Sequence, residues 1–284
     1  MAKAAYLVAS RQGLYLVTRE EWRLLVEGRF FGLALADGEV FACRHEAPDS
    51  EEGPLSGQIV RYEWTECGLV ERAVVAKGLH HNGHQLDFFD DAFFLVDTAN
   101  QTIVEFDRDW RLRGSHAVLP PADPEGPDHG HVNSIAGTAE TVWVMLHNHA
   151  RGRTSEIIEY DRAFRERRRI DLPCSGCHDV VPLPDGRLLT CLSPLGEIAF
   201  VPGEAHRVDQ YWTRGLVVAP DEIVVGSSYF GHRVGRALLP GFLTFLDPVD
   251  YRRIARVYLP AAPTQIRKVE LRAGIASLDS VERR

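Results

Sequence analysis

The chain has 284 residues, 32 Lys and Arg against 40 Asp and Glu for a formal net charge of -8, and 45% hydrophobic residues. That length suits one large β domain or two average ones, with enough apolar content for a buried core. The acidic balance, without a long basic run, argues against a general nucleic-acid or anionic-membrane surface, because phosphate binding needs clustered positive charge.

No apolar run approaches the roughly 20 residues of a membrane-spanning helix. Met1 to Ser10 lacks the apolar core and small-residue cleavage site of a signal peptide. Five cysteines, an odd number, do not suggest a disulfide framework. These features predict a cytoplasmic protein that contacts neither nucleic acid nor membrane.

Ala5 to Ser10, Gly13 to Thr18 and Trp22 to Val26 are short apolar runs separated by the turn-like Arg11-Gln12 and Arg19-Glu20-Glu21. Their length and their β-branched and aromatic content predict strands. Phe31 to Ala36, Val40 to Arg44, Gln58 to Trp64 and Val70 to Ala76 follow as one four-strand unit. A second unit runs through His84 to Phe89, Phe93 to Asp97, Ile103 to Asp107 and Leu112 to Leu119. Its third strand carries a repeat signature: Ile103 to Arg111 matches Ile157 to Arg165, with a weaker copy at Phe242 to Arg252. Further inner strands are expected after His131, His178 and Thr213, closed by turns at Ala139-Glu140, Pro184-Asp185-Gly186 and Pro220-Asp221-Glu222.

The two ends complete each other. Thr264 to Leu271 reads as an inner strand with nothing after it, while the N-terminus supplies three strands lacking an inner one. Joining them predicts an all-β, six-bladed β-propeller, a single domain over residues 1–284, closed by N-terminal strands pairing with a C-terminal inner strand. Such closure removes exposed sheet edges. Helix is nearly absent; Arg162 to Arg169 and Ser277 to Arg284 have helical composition, though the first also fits an outer strand.

The same register places chemistry. Gly83-His84, Gly130-His131 and Cys177-His178 put three histidines 47 residues apart, which predicts equivalent positions at the mouth of the central channel. Three neutral imidazoles converging there would hold a divalent metal, Zn or Fe first, and leave positions open for water or substrate. Gln265 could approach as a weak fourth ligand or touch substrate, and Asp87, Asn133 and Asp179 are candidate partners orienting the imidazole rings. Arg214, on the fifth unit, would offer a fixed cation to a small anionic substrate. Tyr229, His81 and His129 are candidate acid or base residues, and His147 and His149 candidate substrate contacts on the same face. Cys174-Ser175-Gly176-Cys177-His178 also satisfies the Cys-x-x-Cys-His pattern of c-type haem attachment. The missing export signal and the lack of a nearby Met favour two reduced thiols, with a redox or metal-assisting role left open.

The repeat plan resembles six-bladed propeller enzymes of the NHL and SMP-30-like group. Three channel histidines with an Arg and a Tyr are similar to the metal site of peptidyl-α-hydroxyglycine amidating lyase, although this chain lacks the disulfides of that secreted enzyme. The resemblance implies His84, His131 and His178 as metal ligands, Arg214 as the substrate holder and Tyr229 as the base. Propeller lyases acting on uronate sugars with His and Gln ligands are an equal analogy. The expectation is a metal-dependent lyase or hydrolase; the alternatives are a non-haem iron oxygenase on the same site and a non-catalytic propeller that binds a ligand or protein.

Overall fold

The computed structural model describes residues 4–45, 55–81, 83–119, 130–230 and 239–270. Strands β1 (Ala5–Ser10), β2 (Gly13–Val17) and β3 (Trp22–Glu27) form three parts of a sheet whose fourth member arrives last in the chain. Blade one is β4 (Phe30–Ala36), β5 (Glu39–His45), β6 (Gly57–Thr65) and β7 (Gly68–Leu79). Blade two is β8 (Gly83–Phe89), β9 (Ala92–Asp97), β10 (Thr102–Phe106) and β11 (Leu112–Ala117). Blade three is β12 (Val132–Gly137), β13 (Thr141–Leu146), β14 (Glu156–Asp161) and β15 (Glu166–Asp171). Blade four is β16 (His178–Pro182), β17 (Leu188–Leu192), β18 (Glu197–Val201) and β19 (Ala205–Arg207). Blade five is β20 (Trp212–Ala219), β21 (Glu222–Ser228), β22 (Gly241–Leu246) and β23 (Arg253–Leu259). Strand β24 (Pro263–Val269) pairs antiparallel with β1 and completes the sixth blade.

The protein is therefore a six-bladed β-propeller, closed as the sequence predicts. Among the described residues no α-helix occurs; the Arg162 to Arg169 segment becomes a turn and the start of outer strand β15, and Ser277 to Arg284 lies outside the described residues. Burial falls from inner to outer strand, as in blade three, where β13 is largely buried and β15 largely exposed.

The repeat signature is a turn device. Asp107 Oδ1 accepts hydrogen bonds from the backbone N–H groups of Asp109 (2.9 Å) and Arg111 (2.8 Å), and Asp161 does the same for Ala163 (2.9 Å) and Arg165 (3.0 Å). Trp110 and Phe164 sit at φ 63° and 53° inside these turns, and their rings stack on Phe93 and His116. Asp247 repeats the device with Val249 (2.9 Å). An Asp that bonds its own backbone favours a turn over a continued strand.

The closing blade is clamped to blade five by a buried carboxylate. Glu222 accepts the Tyr6 hydroxyl at 2.6 Å and the Arg19 Nε at 2.7 Å. Burial and Glu222 together push the Tyr6 hydroxyl far above its ordinary range.

Candidate functional site

All six inner strands carry the same irregularity where they start. Phe30 to Leu33 spans one residue more than the Arg44 to Ala42 stretch it faces. The same extra residue occurs at Gly83 to Leu86, Val132 to Ile135, His178 to Val181, Thr213 to Leu216 and Pro263 to Ile266. A bulge of this kind bends a strand and re-aims its side chains. The residues inside the bulges, in blade order, are Phe31-Gly32, His84-Gln85, Asn133-Ser134, Asp179-Val180, Arg214-Gly215 and Thr264-Gln265.

This ladder corrects the 47-residue register. His84 lies within its bulge, His178 opens its strand and His131 stands just ahead of β12 at φ 50°. The three histidines are thus not equivalent, because the loops leading into the inner strands differ in length. They converge all the same. His84 and His131 lie 4.5 Å apart between ring centres, edge to face at 88°. His131 lies 4.8 Å from His147, and His147 lies 5.0 Å from His178. Phe31 ends this arc at 5.4 Å from His84, and Trp212 ends it at 5.9 Å from His178. His84, His131 and His178 are all buried.

His147 belongs to the arc because Val132 pairs with Leu146, which sets the flanking residues 131 and 147 across from each other. Its carbonyl accepts from Gly176 N (2.9 Å) and Ser155 Oγ (2.8 Å). His178 donates from Nδ1 toward the Gly176 carbonyl at 3.1 Å, with Ser193 Oγ at 3.0 Å. That choice of tautomer makes Nε2 the nitrogen with a lone pair. Asn133 supports the same segment by donating to the Cys177 carbonyl at 2.8 Å.

Beside the arc lies a narrow cleft of about 10 Å³, lined by His84, His178, Asp179, Arg214, Asn133 and Gln265 among others. The polar side chains here tie blade to blade. Gln265 accepts from Leu33 N at 2.6 Å and donates to the Leu86 carbonyl at 3.0 Å. Gln85 bonds both backbone groups of Ile135 at 2.9 Å. Asp179 accepts from Gly215 N at 2.8 Å, and Asp87 pairs with Arg267 at 3.0 Å. Burial pushes both carboxyls above their usual range, opposed at Asp179 by the Gly215 N–H and Arg214, and at Asp87 by Arg267. Gln265 thus acts here as an inter-blade strut, and Asp87 and Asp179 bond Arg267 and Gly215.

Other expected site residues lie elsewhere. Tyr229 packs on Tyr211 at 4.8 Å, in a cluster with Phe242 and near Tyr258, so it does not join the imidazoles. His81 stacks on His80 at 4.5 Å, outside the arc. His149 is exposed, 5.9 Å from His147, and meets Ser175 Oγ at 3.1 Å. His129 lies outside the described residues. Arg214 is half-buried, its guanidinium 5.8 Å from the centre of the Phe31 ring, which Arg11 also approaches at 4.7 Å. Among the described residues no group of three or more His, Cys, Asp or Glu is arranged to hold a metal ion.

No protein-family model matches the chain, and no curated protein matches it. Solved structures do. A chain from the nidogen/laminin complex is similar over 93% of this chain and 97% of its own, at 11% identity and a TM-score of 0.65. A candidate 6-phosphogluconolactonase from Bacteroides uniformis is similar over 95% and 100%, at 12% identity and a TM-score of 0.56. A streptogramin B lyase is similar over 86% and 83%, at 12% identity and a TM-score of 0.50. At such identities the likeness establishes the fold alone, and the resemblance to the amidating-lyase site finds no support among these neighbours.

Proposed function

We propose that this propeller is an enzyme that holds a divalent transition metal, Zn or Fe, on His84, His131 and His178, and acts on a small anionic substrate by lyase or hydrolase chemistry. The observation that carries the reading is the arc of imidazoles beside Arg214. An imidazole bound at about 2.0–2.1 Å has its ring centre about 3.2 Å from the metal, so two ligands on one ion stand about 4.5–5.2 Å apart. The 4.5 Å spacing of His84 and His131 falls in that range, and His178 joins them through His147, which stands 4.8 Å from His131 and 5.0 Å from His178. His178 already presents Nε2 as the nitrogen with a lone pair.

A bound metal would polarise the substrate and lower the pKa of a water. Arg214 would hold the anionic group, its guanidinium kept in place against Phe31. His147, between His131 and His178, is the imidazole within reach for proton transfer, the part first assigned to Tyr229. The lyase and lactonase among the structural neighbours are compatible with this reading. Elemental analysis of native-purified protein beside His131→Ala tests it: about one metal per chain is expected, lost in the variant. No metal in the wild type, even after reconstitution, overturns it.

One observation favours a second reading, a non-catalytic propeller that binds a partner on this face. Phe230 is 51% exposed and lies 6.0 Å from Trp212 at the end of the arc, an aromatic surface suited to docking. A metal-free protein would leave this reading standing.

A further inference from the structure

Of the five cysteines, Cys174 and Cys177 are the pair in contact, their sulfurs 3.5 Å apart. Cys43 and Cys191 are buried singly, and Cys67 is exposed on another blade. The sulfurs are held close by the loop between β15 and β16. Ser155 N donates to the Cys174 carbonyl at 2.9 Å, and Ser155 Oγ accepts from Cys177 N at 3.0 Å, so one residue grips both cysteines. Between them Gly176 takes φ 82°, where an added Cβ would press on Pro194 and Trp212 at 3.2 Å. Its N–H is bound by the His147 carbonyl at 2.9 Å. The clamp fixes a loop in which one thiol, Cys174, is half-exposed and the other, Cys177, is buried behind it.

We propose that Cys174 and Cys177 form a thiol–disulfide exchange site, with Cys174 as the attacking sulfur, Cys177 as the resolving one and a small organic disulfide as the substrate. The Cys174 thiolate attacks one sulfur of the disulfide, forming a mixed disulfide and releasing one thiolate, which takes a proton from water. The Cys177 sulfur then displaces the second thiolate from Cys174, and that thiolate leaves with the Cys177 proton. The dithiol is oxidised to a disulfide, and the small disulfide is reduced to two thiols. Closing the bond brings the sulfurs from 3.5 Å to about 2.05 Å, a shift within reach of one loop. The contact with Cys177 also holds the Cys174 thiol below its ordinary range, which favours the attacking thiolate. The loop carbonyl that orients His178 belongs to Gly176, between the two cysteines, so the bond is built next to the imidazole arc.

The test uses the full chain, reduced and then incubated with glutathione disulfide in the absence of air, acid-quenched, alkylated and mapped by peptide mass spectrometry. The expected result is joint loss of alkylation at Cys174 and Cys177 through an internal disulfide, with Cys43 and Cys191 still alkylated and glutathione on Cys67. Cys177→Ser should trap glutathione on Cys174, while Cys174→Ser should leave Cys177 unmodified, with circular dichroism confirming that both variants are folded. Cys174 and Cys177 fully alkylated in the wild type while Cys67 carries glutathione would overturn the proposal. So would a wild-type adduct that stays on Cys174 without resolving, or one found on Cys177. The readout involves no metal, so its outcome is independent of the enzyme reading.

Discussion

Gln265 bonds the backbone of two other blades with its one side chain, which decides how its replacement should behave. Leucine in its place leaves Leu33 N and the Leu86 carbonyl without their partners, at a cost of about 1–3 kcal/mol. Urea unfolding of Gln265→Leu should show that loss with metal content unchanged; a loss of metal would return Gln265 to the ligand set. His45 gives a second residue-scale expectation. Its ring is buried, neither nitrogen reaches a good hydrogen-bond partner among the described residues, and desolvation pushes its pKa from 6.5 down to about 3, with the Gly83 backbone too weak to offset it. Above pH 6.5 neither the folded nor the unfolded chain protonates it. Below that, the unfolded chain binds a proton that the folded one refuses, so stability falls by about 1.4 kcal/mol per pH unit until about pH 3. Between pH 7 and 5 the wild type should lose about 2 kcal/mol more than His45→Gln; equal losses would mean that His45 titrates normally when folded. The histidines of the site were legible as a cluster of one residue type on one face. The placements of His147 and Tyr229 were not, since they depend on cross-strand pairing at Leu146 and on aromatic packing around Tyr211.

The unit shared by the blades is the bulged inner strand, and it explains both what the sequence revealed and what it hid. The turn signature at Asp107 and Asp161 is local, written in residues that bond their own backbone, so it can be read directly. A bulge is a mismatch in residue count between two paired strands, settled by how the whole ladder registers, and nothing in Phe31-Gly32 or Arg214-Gly215 alone announces it. The histidine spacing of 47 therefore suggested an equivalence that the ladders do not have. Gly32 has a stricter reason to be glycine. A Cβ there would stand 2.5 Å from Leu86 N and 2.9 Å from the Gln85 carbonyl carbon, both backbone of the next inner strand. Backbone cannot swing aside as a side chain can, so Gly32→Ala should force β4 and β8 apart and cost about 1–3 kcal/mol. The measurement is the denaturant midpoint, read beside Gly78→Ala, where φ is 72° but nothing lies within 4 Å of the new Cβ. A smaller loss at Gly32 than at Gly78 would refute crowding between these strands.

At the scale of the whole ring, no blade owns its core. Among the described residues the buried apolar side chains fall into six clusters, and each spans two neighbouring sheets. Leu33 and Val60 of blade one pack with Leu7 and Val269 of the closing blade, while Ala34 and Ile59, on the other face of the same sheet, pack with Leu86 and Leu95 of blade two. A blade pulled from the ring exposes two half-cores, so partial unfolding gains little chain entropy for the apolar surface it gives to water. The protein should unfold in one transition, with near- and far-ultraviolet circular dichroism coinciding, and separated midpoints would contradict shared cores. The joint between the chain ends is the sharpest test. Strand β24 supplies Ile266 to one flanking cluster and Val269 to the other, and Thr264 Oγ1 donates to the Ala9 carbonyl at 3.0 Å and the Phe31 carbonyl at 2.9 Å. A chain ending at Ala262 would lose both contacts and expose β1 as an open edge, a template for association. It should lack a cooperative transition and run as aggregate on size exclusion, although the strands it loses are fewer than one in ten. A monomeric truncated chain that still melts cooperatively would show that the five remaining blades are stable without closure.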